Sequence, residues 1–349
     1  GRGLIYVWAG GNGRGYEDNV NFDGYANNQH TIAVGATYAD GILSTYSEPG
    51  AALMVNAPSS ERFADGFYGI VTTDRTGSLG YASGDYTTVS GNSTFGGTSA
   101  AAPLVAGCIA LMLEANPNLT WRDVQQILIE TSTKNHPWDE GWFTNAAGYH
   151  FNHDYGFGRI NAAAAVEAAR TWVPLMPRLE PLVATRSTPA PIPDNNPNGV
   201  SQTVSVSGPA NFRIEHVEVT VNITHTYRGD LEIILIAPSG TEARLTNKRG
   251  LDGGDNFNNW TFLSLPTWGE NPNGTWTLKV VDGYPYDSGT LNSWSLKIYG
   301  TVPRPTVQDT FSSAAGWAVF GTATPQATAS FDPAKQALLA SVTQGATNR

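Results

Sequence analysis

Two short apolar runs set the pattern at the start of the chain. Leu4-Ile5-Tyr6-Val7-Trp8-Ala9 ends in Gly10-Gly11-Asn12-Gly13, and Thr31-Ile32-Ala33-Val34-Gly35-Ala36 follows. Continuous apolar runs bounded by glycines predict parallel strands buried on both faces. Ser99 to Ala115 is apolar almost all round, which predicts a buried helix. Its proline, Pro103, comes early, where a missing N–H matters least, and Asn116-Pro117 closes it. Thr120-Trp121-Arg122-Asp123 has the form of a capping box with Asp in place of Glu or Gln, and Val124, Ile127, Leu128 and Thr131 keep helical spacing. An alanine-rich helix is predicted over 161–172, with Asn161 as its N-cap.

At Val173 the pattern changes. The stretch 173–200 carries seven prolines and reads as a linker wrapping into a new module. Period-2 alternation then dominates: Val217, Val219, Val221 and Ile223; Leu231, Ile233 and Leu235; Trp276, Leu278 and Val280; Trp294, Leu296 and Ile298. Such strands, separated by loops, predict an antiparallel β-sandwich ending near Gly300-Thr301. Pro303-Arg304-Pro305 is a short hinge. The expected organisation is an α/β unit over 1–172, a sandwich over 173–302, and a linker with the start of a truncated third, β module over 303–349.

Composition narrows the function classes. A length of 349 residues suits two domains and part of a third. Charged residues make up 14%, against about 25% in an average soluble domain. The net charge of −10 argues against nucleic-acid binding through a basic surface. No uninterrupted apolar run approaches the ~20 residues of a membrane span. The single cysteine, Cys108, excludes an intrachain disulfide framework and reads as a small core residue. Low charge with abundant Asn, Thr, Ser and Gly points to an exported protein. The opening run into a strand suggests that the sequence begins mid-domain.

The sharpest chemical signal is Gly96-Gly97-Thr98-Ser99-Ala100-Ala101-Ala102-Pro103. A serine hydroxyl is a poor nucleophile until a base takes its proton. At a helix N-terminus, backbone N–H groups and the positive dipole end face a developing oxyanion. Alone, Gly-Thr-Ser reads first as an ordinary N-cap, and Gly-Gly-Asn-Gly as a turn. In context, residues 97–107 resemble the nucleophile motif of subtilisin-like serine proteases. Trp8-Ala9-Gly10-Gly11-Asn12-Gly13 resembles the strand and loop that carry the oxyanion asparagine in that superfamily. Residues 118–125 and His153-Asp154-Tyr155-Gly156-Phe157-Gly158 narrow the resemblance to the kexin/furin branch. Arg228-Gly229-Asp230-Leu231, Ala237-Pro238-Ser239-Gly240-Thr241, Trp268-Gly269-Glu270, Gly274-Thr275-Trp276 and Tyr299-Gly300-Thr301 resemble the proprotein convertase P domain. The resemblance covers roughly residues 3–301.

The resemblance implies the C-terminal half of a subtilisin-like α/β parallel sheet, followed by an all-β jelly-roll or sandwich P domain. It implies a serine endopeptidase acting on polypeptides through an acyl-enzyme. Ser99 matches the nucleophile and Asn12 the oxyanion donor, with the Ser99 N–H as a second donor. Asp23 matches a buried carboxylate at the base of the S1 pocket, which selects Arg or Lys at P1. Ala9 and Gly10 correspond to the S1 wall and Tyr25 to a more distal subsite. Asp18 and Glu48 match two carboxylates of a structural Ca²⁺ site, since oxygen-only ligands suit that ion. Asp252, Asp255, Glu270, Asp282 and Asp287 form either a second calcium site or ordinary loop carboxylates. A secreted, bacterial setting is expected, and an N-terminal propeptide and the oligomeric state are left open.

A triad also needs a base and an orienting carboxylate, which precede the serine in this superfamily. Of six histidines only His30 precedes Ser99, in a context that fits a surface residue. The triad Asp and His are therefore expected upstream, and the sequence by itself is expected to be inactive. Two departures bear on specificity. Val20, Asn21 and Phe22 stand where the animal enzymes have paired cysteines, and residues 77–93 exceed the expected length, which would reshape the primed side or a pocket wall. The sequons Asn92-Ser93-Thr94, Asn118-Leu119-Thr120, Asn222-Ile223-Thr224, Asn259-Trp260-Thr261 and Asn273-Gly274-Thr275 are compatible with glycosylation. The alternative reading is a catalytically inactive protease fold whose P domain serves binding or adhesion.

Overall fold

The two glycine-bounded runs become neighbouring strands. In the computed structural model, which describes residues 4–63, 66–91, 93–304, 326–332 and 337–343, β1 (Tyr6–Ala9) pairs in parallel with β2 (Thr31–Thr37). β3 (Leu53–Pro58) continues the sheet in the order β1-β2-β3, again in parallel. β2 lies in the middle, and its residues from Ile32 to Thr37 are buried, as expected of a strand covered on both faces. β1 departs from that expectation. Among the described residues it is an edge strand, with Tyr6 51% and Trp8 38% exposed.

After β3 come the short hairpin strands β4 (Glu61–Phe63) and β5 (Gly66–Tyr68), then the helix α1 (Thr98–Ala115). The expectation of a helix buried on all sides is corrected here. Ala101, Val105, Cys108 and Met112, at i, i+4, i+7 and i+11, bury one face on the sheet, while Leu104 and Leu111 are 42% and 51% exposed. An open groove of about 390 Å³ runs between β1 and α1, lined by Ile5, Val7, Ile109 and Leu113 among others. By length and composition α1 could cross a membrane, but its buried face is part of the α/β core.

α2 (Trp121–Thr131) starts with the expected capping box. Asp123 is fully buried. Its Oδ2 accepts from Thr120 N at 2.8 Å, and its Oδ1 accepts from Trp172 Nε1 at 3.0 Å and Leu175 N at 2.8 Å. One carboxylate thus caps a helix and ties down the backbone leaving the α/β unit. Asp123→Ala strands several buried donors, and the expected loss is roughly 2–4 kcal/mol, read by urea denaturation; a loss below 1 kcal/mol would contradict this role. The hairpin β6 (Phe143–Thr144) and β7 (His150–Phe151) follows. The next turn clamps β3: Phe157 N donates to Met54 O, and a Cβ on Gly156 (φ 61°) would lie 2.4 Å from that same oxygen. α3 (Ala162–Arg170) begins with Asn161 accepting from Ala164 N at 3.1 Å.

The proline-rich stretch is more than a linker. β8 (Leu182–Arg186) and β9 (Ala190–Ile192) both pair with β16 (Gly289–Thr301). Pro191 is tolerated because β9 pairs on one side only. The sandwich has one sheet in the order β10 (Val200–Val206), β15 (Gly274–Asp282), β12 (Leu231–Ile236), β13 (Glu242–Thr246). The other runs β14 (Phe257–Ser264), β11 (Arg213–His225), β16, β8. All these pairings are antiparallel, and the predicted alternating residues line the core with Trp276 and Trp294 fully buried.

Residues 1–303 form one compact unit with two cores that interleave. Leu263, Leu265 and Trp268 pack into the α/β core, and Ala51 into the sandwich core. Trp268 Nε1 donates to Gln126 Oε1 at 2.8 Å, and Asn21 Nδ2 to Leu263 O at 2.7 Å. In the separate unit 304–349, β17 (Gln326–Asp332) and β18 (Ala337–Thr343) pair antiparallel. The remainder of the expected third module lies outside the described residues.

Candidate active site

Ser99 is the second residue of α1 and is solvent-exposed. The N-cap, Gly97 (φ 75°), offers no capping side chain; Thr98 N is taken by Asn12 and Ala100 N by Gly97 O, which leaves the Ser99 N–H as the first-turn donor for a ligand. The loop before the helix is fixed from below. Ser59 Oγ donates to Gly97 O at 2.6 Å, Gly97 N donates to Ser60 Oγ at 3.0 Å, and Tyr46 OH donates to Ser60 O at 2.7 Å.

Asn12, three residues beyond β1, meets this helix end. Its Oδ1 accepts from Thr98 N at 2.9 Å and Thr98 Oγ1 at 3.0 Å, and Thr98 Oγ1 accepts from Gly11 N at 3.2 Å. The carboxamide is thus held by its oxygen, leaving Nδ2 as a donor at the N-terminal end of α1. A Cβ at position 97 would lie 3.1 Å from that Nδ2, so glycine keeps the approach open. Thr98 is the residue that sequence reasoning misses. Its hydroxyl reads locally as no more than a helix cap, and its link to Asn12 spans 86 positions.

Asp23 departs from expectation. It is exposed, and its Oδ1 accepts from Tyr25 N at 2.7 Å and Ala26 N at 3.0 Å. The Asp-Gly turn captures one oxygen, so here the carboxylate lies at an open surface and is not buried at a pocket floor. Tyr25, 68% exposed, stacks on Trp8 with centroids 4.7 Å apart. That stack places the turn alongside Ala9 and Gly10, whose N donates to Val34 O at 2.8 Å.

Asp18 and Glu48 come together around Gly13. A Cβ there would lie 2.9 Å from Glu48 Oε1 and 3.3 Å from Asp18 Oδ2. Glu48 is buried, 6% exposed. Burial pushes its carboxyl up to about 7, opposed by the Gly13 N–H bond at 2.7 Å and assisted by the nearby charge of Asp18. Arg249, reaching over from the sandwich, lies 3.5 Å from Asp18 and over the Phe22 ring at 3.6 Å. Four of the five sandwich carboxylates have partners of their own. Asp252 pairs with Arg228 and Arg249, Glu270 accepts from Ser239, Thr241 and Ala146 N, Asp282 faces His225, and Asp287 accepts from Thr226. Among the described residues no cluster of three or more acidic, His or Cys side chains suits a metal.

The histidines are engaged elsewhere. His30 packs on Trp121, His136 faces Tyr155, and His150 lies edge-on to Trp142. His153, pushed down to about 3 by burial, accepts from Arg244 N. His216 meets Arg178, and His225 meets Asp282. Among the described residues, none hydrogen-bonds Ser99. Cys108 is buried, its thiol pushed up by that burial, as a core residue should be.

Residues 1–158 match the Subtilase family and residues 214–298 the Proprotein convertase P-domain. "Proprotein convertase subtilisin/kexin type 4" of Homo sapiens is 40% identical over 323 residues, 90% of this chain and 41% of that protein. "Protease KEX1" of Kluyveromyces lactis is 40% identical over 309 residues, 86% of this chain and 38% of that protein. The sequence therefore spans about two fifths of the length of these relatives. The crystal structure of a serine protease of Aeromonas sobria superposes with a TM-score of 0.78 at 27% identity, covering 86% of this chain and 65% of that one. The chain, a parallel α/β sheet fused to an antiparallel sandwich, thus belongs to the kexin/furin branch of the subtilisin-like serine proteases with a C-terminal P domain.

Proposed function

We propose that this protein supplies the nucleophile and oxyanion donors of a secreted serine endopeptidase that cleaves polypeptides after Arg or Lys. The observation that carries the reading is Asn12, tethered through Oδ1 to Thr98 so that Nδ2 faces the helix end bearing Ser99. In the mechanism, Ser99 Oγ attacks the scissile carbonyl. Asn12 Nδ2 and the Ser99 N–H receive the charge on the carbonyl oxygen, and an acyl-enzyme forms as the amine leaves. The proton of Ser99 needs a base, and the triad His and Asp are assigned to a segment outside this sequence. Among the described residues, the unpaired edge of β1 and the apolar groove beside α1, lined by Ile5, Val7, Ile109 and Leu113, are where that segment would dock. The exposed carboxylate of Asp23, next to the Trp8–Tyr25 stack, is the group that would meet a basic P1 side chain. The full-length enzyme should prefer Arg or Lys at P1 in a peptide panel, and preferential cleavage after aromatic residues would rule out the role of Asp23.

The second reading, a protease fold used as a binding scaffold, is favoured by the lack of a base near Ser99 among the described residues. The two readings differ in whether Ser99 is activated.

Calcium fits the carboxylate pair in part. Glu48 and Asp18 would supply two of the six to eight oxygens that Ca²⁺ takes, and the ion would screen a buried carboxyl. Without calcium, the sign follows from the raised value. The stability tied to neutral Glu48 is full below its ordinary value of 4.5 and lost as pH rises to about 7, by roughly 3 kcal/mol. Calcium should raise the melting temperature at pH 8 but not at pH 5, and Glu48→Gln should flatten the profile. An unchanged profile in that variant would remove Glu48 from the site.

A further inference from the structure

Asp23 sits on a segment that is held from two sides. Residues 19–27 contain one 3₁₀ turn, Val20–Phe22, and no strand. On the α/β side, Val20 N donates to Pro49 O at 3.0 Å and Ala52 N to Asn21 Oδ1 at 3.1 Å. Cys108 is the only cysteine, so no disulfide closes the segment. The other hold comes from the sandwich. Among the described residues β14 is the last strand of its sheet, pairing with β11 alone, and the backbone groups on its free side need partners. Asn27 supplies them as an added strand would. Leu263 N donates to its Oδ1, and its Nδ2 donates to Thr261 O, both at 2.6 Å. Asn21 Nδ2 donates to Leu263 O at 2.7 Å, and Asn21 O accepts from Trp260 Nε1 at 3.2 Å.

Phe22 completes the grip. Its ring centroid lies 5.9 Å from that of Trp260, 5.7 Å from Phe262 and 6.2 Å from Phe257, and the Arg249 guanidinium lies 3.6 Å from it. The sandwich thus holds the chain on both sides of Asp23, at 21–22 and at 27, while residues 23–25 stay exposed. Asn27 N also donates to Asp23 O at 2.8 Å, which ties the far anchor to Asp23 itself. An exposed polar turn has little stability of its own. A carboxylate that receives a guanidinium in two parallel bonds must keep its place to within about 0.5 Å. Two fixed ends supply that constraint, and both are fixed by β14 and its neighbours.

We propose that β14 is a positioning element for P1 selection, with Asn27 and Trp260 fixing the turn that carries Asp23. This rests on the reading of Asp23 as the group that meets a basic P1 side chain. A contact that merely stabilises the fold changes the amount of active enzyme, not its choice between substrates. The test therefore uses the active full-length enzyme and two peptides identical except at P1, with Arg in one and citrulline, its uncharged isostere, in the other. In Asn27→Ala the Arg-to-citrulline ratio of kcat/KM should fall about tenfold, through KM of the Arg peptide. Trp260→Phe keeps an aromatic ring and loses the bond to Asn21 O, so the ratio should fall about threefold; this variant decides the outcome where Asn27→Ala does not fold. Glu215→Ala, which removes the partner of Arg122 and Arg178, should lower the melting temperature and leave the ratio unchanged. A ratio unchanged in both β14-contact variants overturns the proposal and leaves the Asp23 reading intact. An equal fall in Glu215→Ala also overturns it, since general loosening then accounts for the effect. Wild-type enzyme with no preference for Arg over citrulline removes the Asp23 reading and the proposal together.

Discussion

Glu215→Ala is expected to destabilise the unit 1–303 by about 3–5 kcal/mol, the usual result of removing one partner from a buried ion pair. Glu215, 3% exposed on β11, receives a bidentate bond from Arg122 of α2, with Nε to Oε2 at 2.8 Å, and lies 3.5 Å from Arg178. Arg122 also donates to Met176 O at 3.0 Å, and Arg178 sits over the Trp121 and Tyr299 rings. Without the carboxylate, two guanidinium groups remain buried without their counter-charge at the seam between the two cores. The measurable result is a melting temperature lower by roughly 10 °C. Glu215→Leu combined with Arg122→Met should recover part of the loss, because an apolar pair needs no counter-charge. A Glu215→Ala variant within 1 kcal/mol of wild type would mean that the seam is held by Trp268 and its neighbours alone.

Ser99→Ala should abolish acyl transfer by the full-length enzyme, and Asn12→Ala should lower kcat about 10²–10³-fold with little change in KM. In the proposed mechanism the Asn12 amide meets the oxygen only once charge develops on it, so its loss should leave ground-state binding alone. Thr98→Val adds a discriminating test. It keeps the shape and the Thr98 N–H but deletes the hydroxyl that donates to Asn12 and accepts from Gly11 N. A fall in kcat of roughly tenfold, smaller than for Asn12→Ala, is expected of a residue that acts by orienting another. A Thr98→Val effect exceeding that of Asn12→Ala would place the hydroxyl itself on the oxyanion.

Local features are legible in the sequence, and features set by distant neighbours are not. The capping box at Thr120 and the alternating strands β11, β12, β15 and β16 follow from short-range chemistry. β8 and β9 are hidden because proline signals a linker, while edge pairing with β16 tolerates it. β14 lacks clean alternation, since Asn258 and Asn259 fall beside a register shift at Val221 and Ile223. The exposed face of α1 does not follow from its composition, because an apolar helix says nothing about how many neighbours it finds. At the site, Asn12 and the start of α1 are each legible as motifs, but the Thr98 hydroxyl that joins them is not. Asp23 reads as a buried carboxylate, yet the turn amides of Tyr25 and Ala26 hold it at the surface. The Glu215 cluster joins positions 93 apart, beyond the reach of any local pattern.

The most direct test of the central claim is fluorophosphonate labelling of Ser99 in the full-length protein, read by mass spectrometry of the labelled peptide. Such a probe reacts with an activated serine hydroxyl and not with an ordinary one. Stoichiometric labelling at Ser99 is predicted, falling sharply in Asn12→Ala, with no labelling of residues 1–349 alone. A folded full-length protein whose Ser99 stays unlabelled would contradict that claim, and would make this protease fold a binding scaffold.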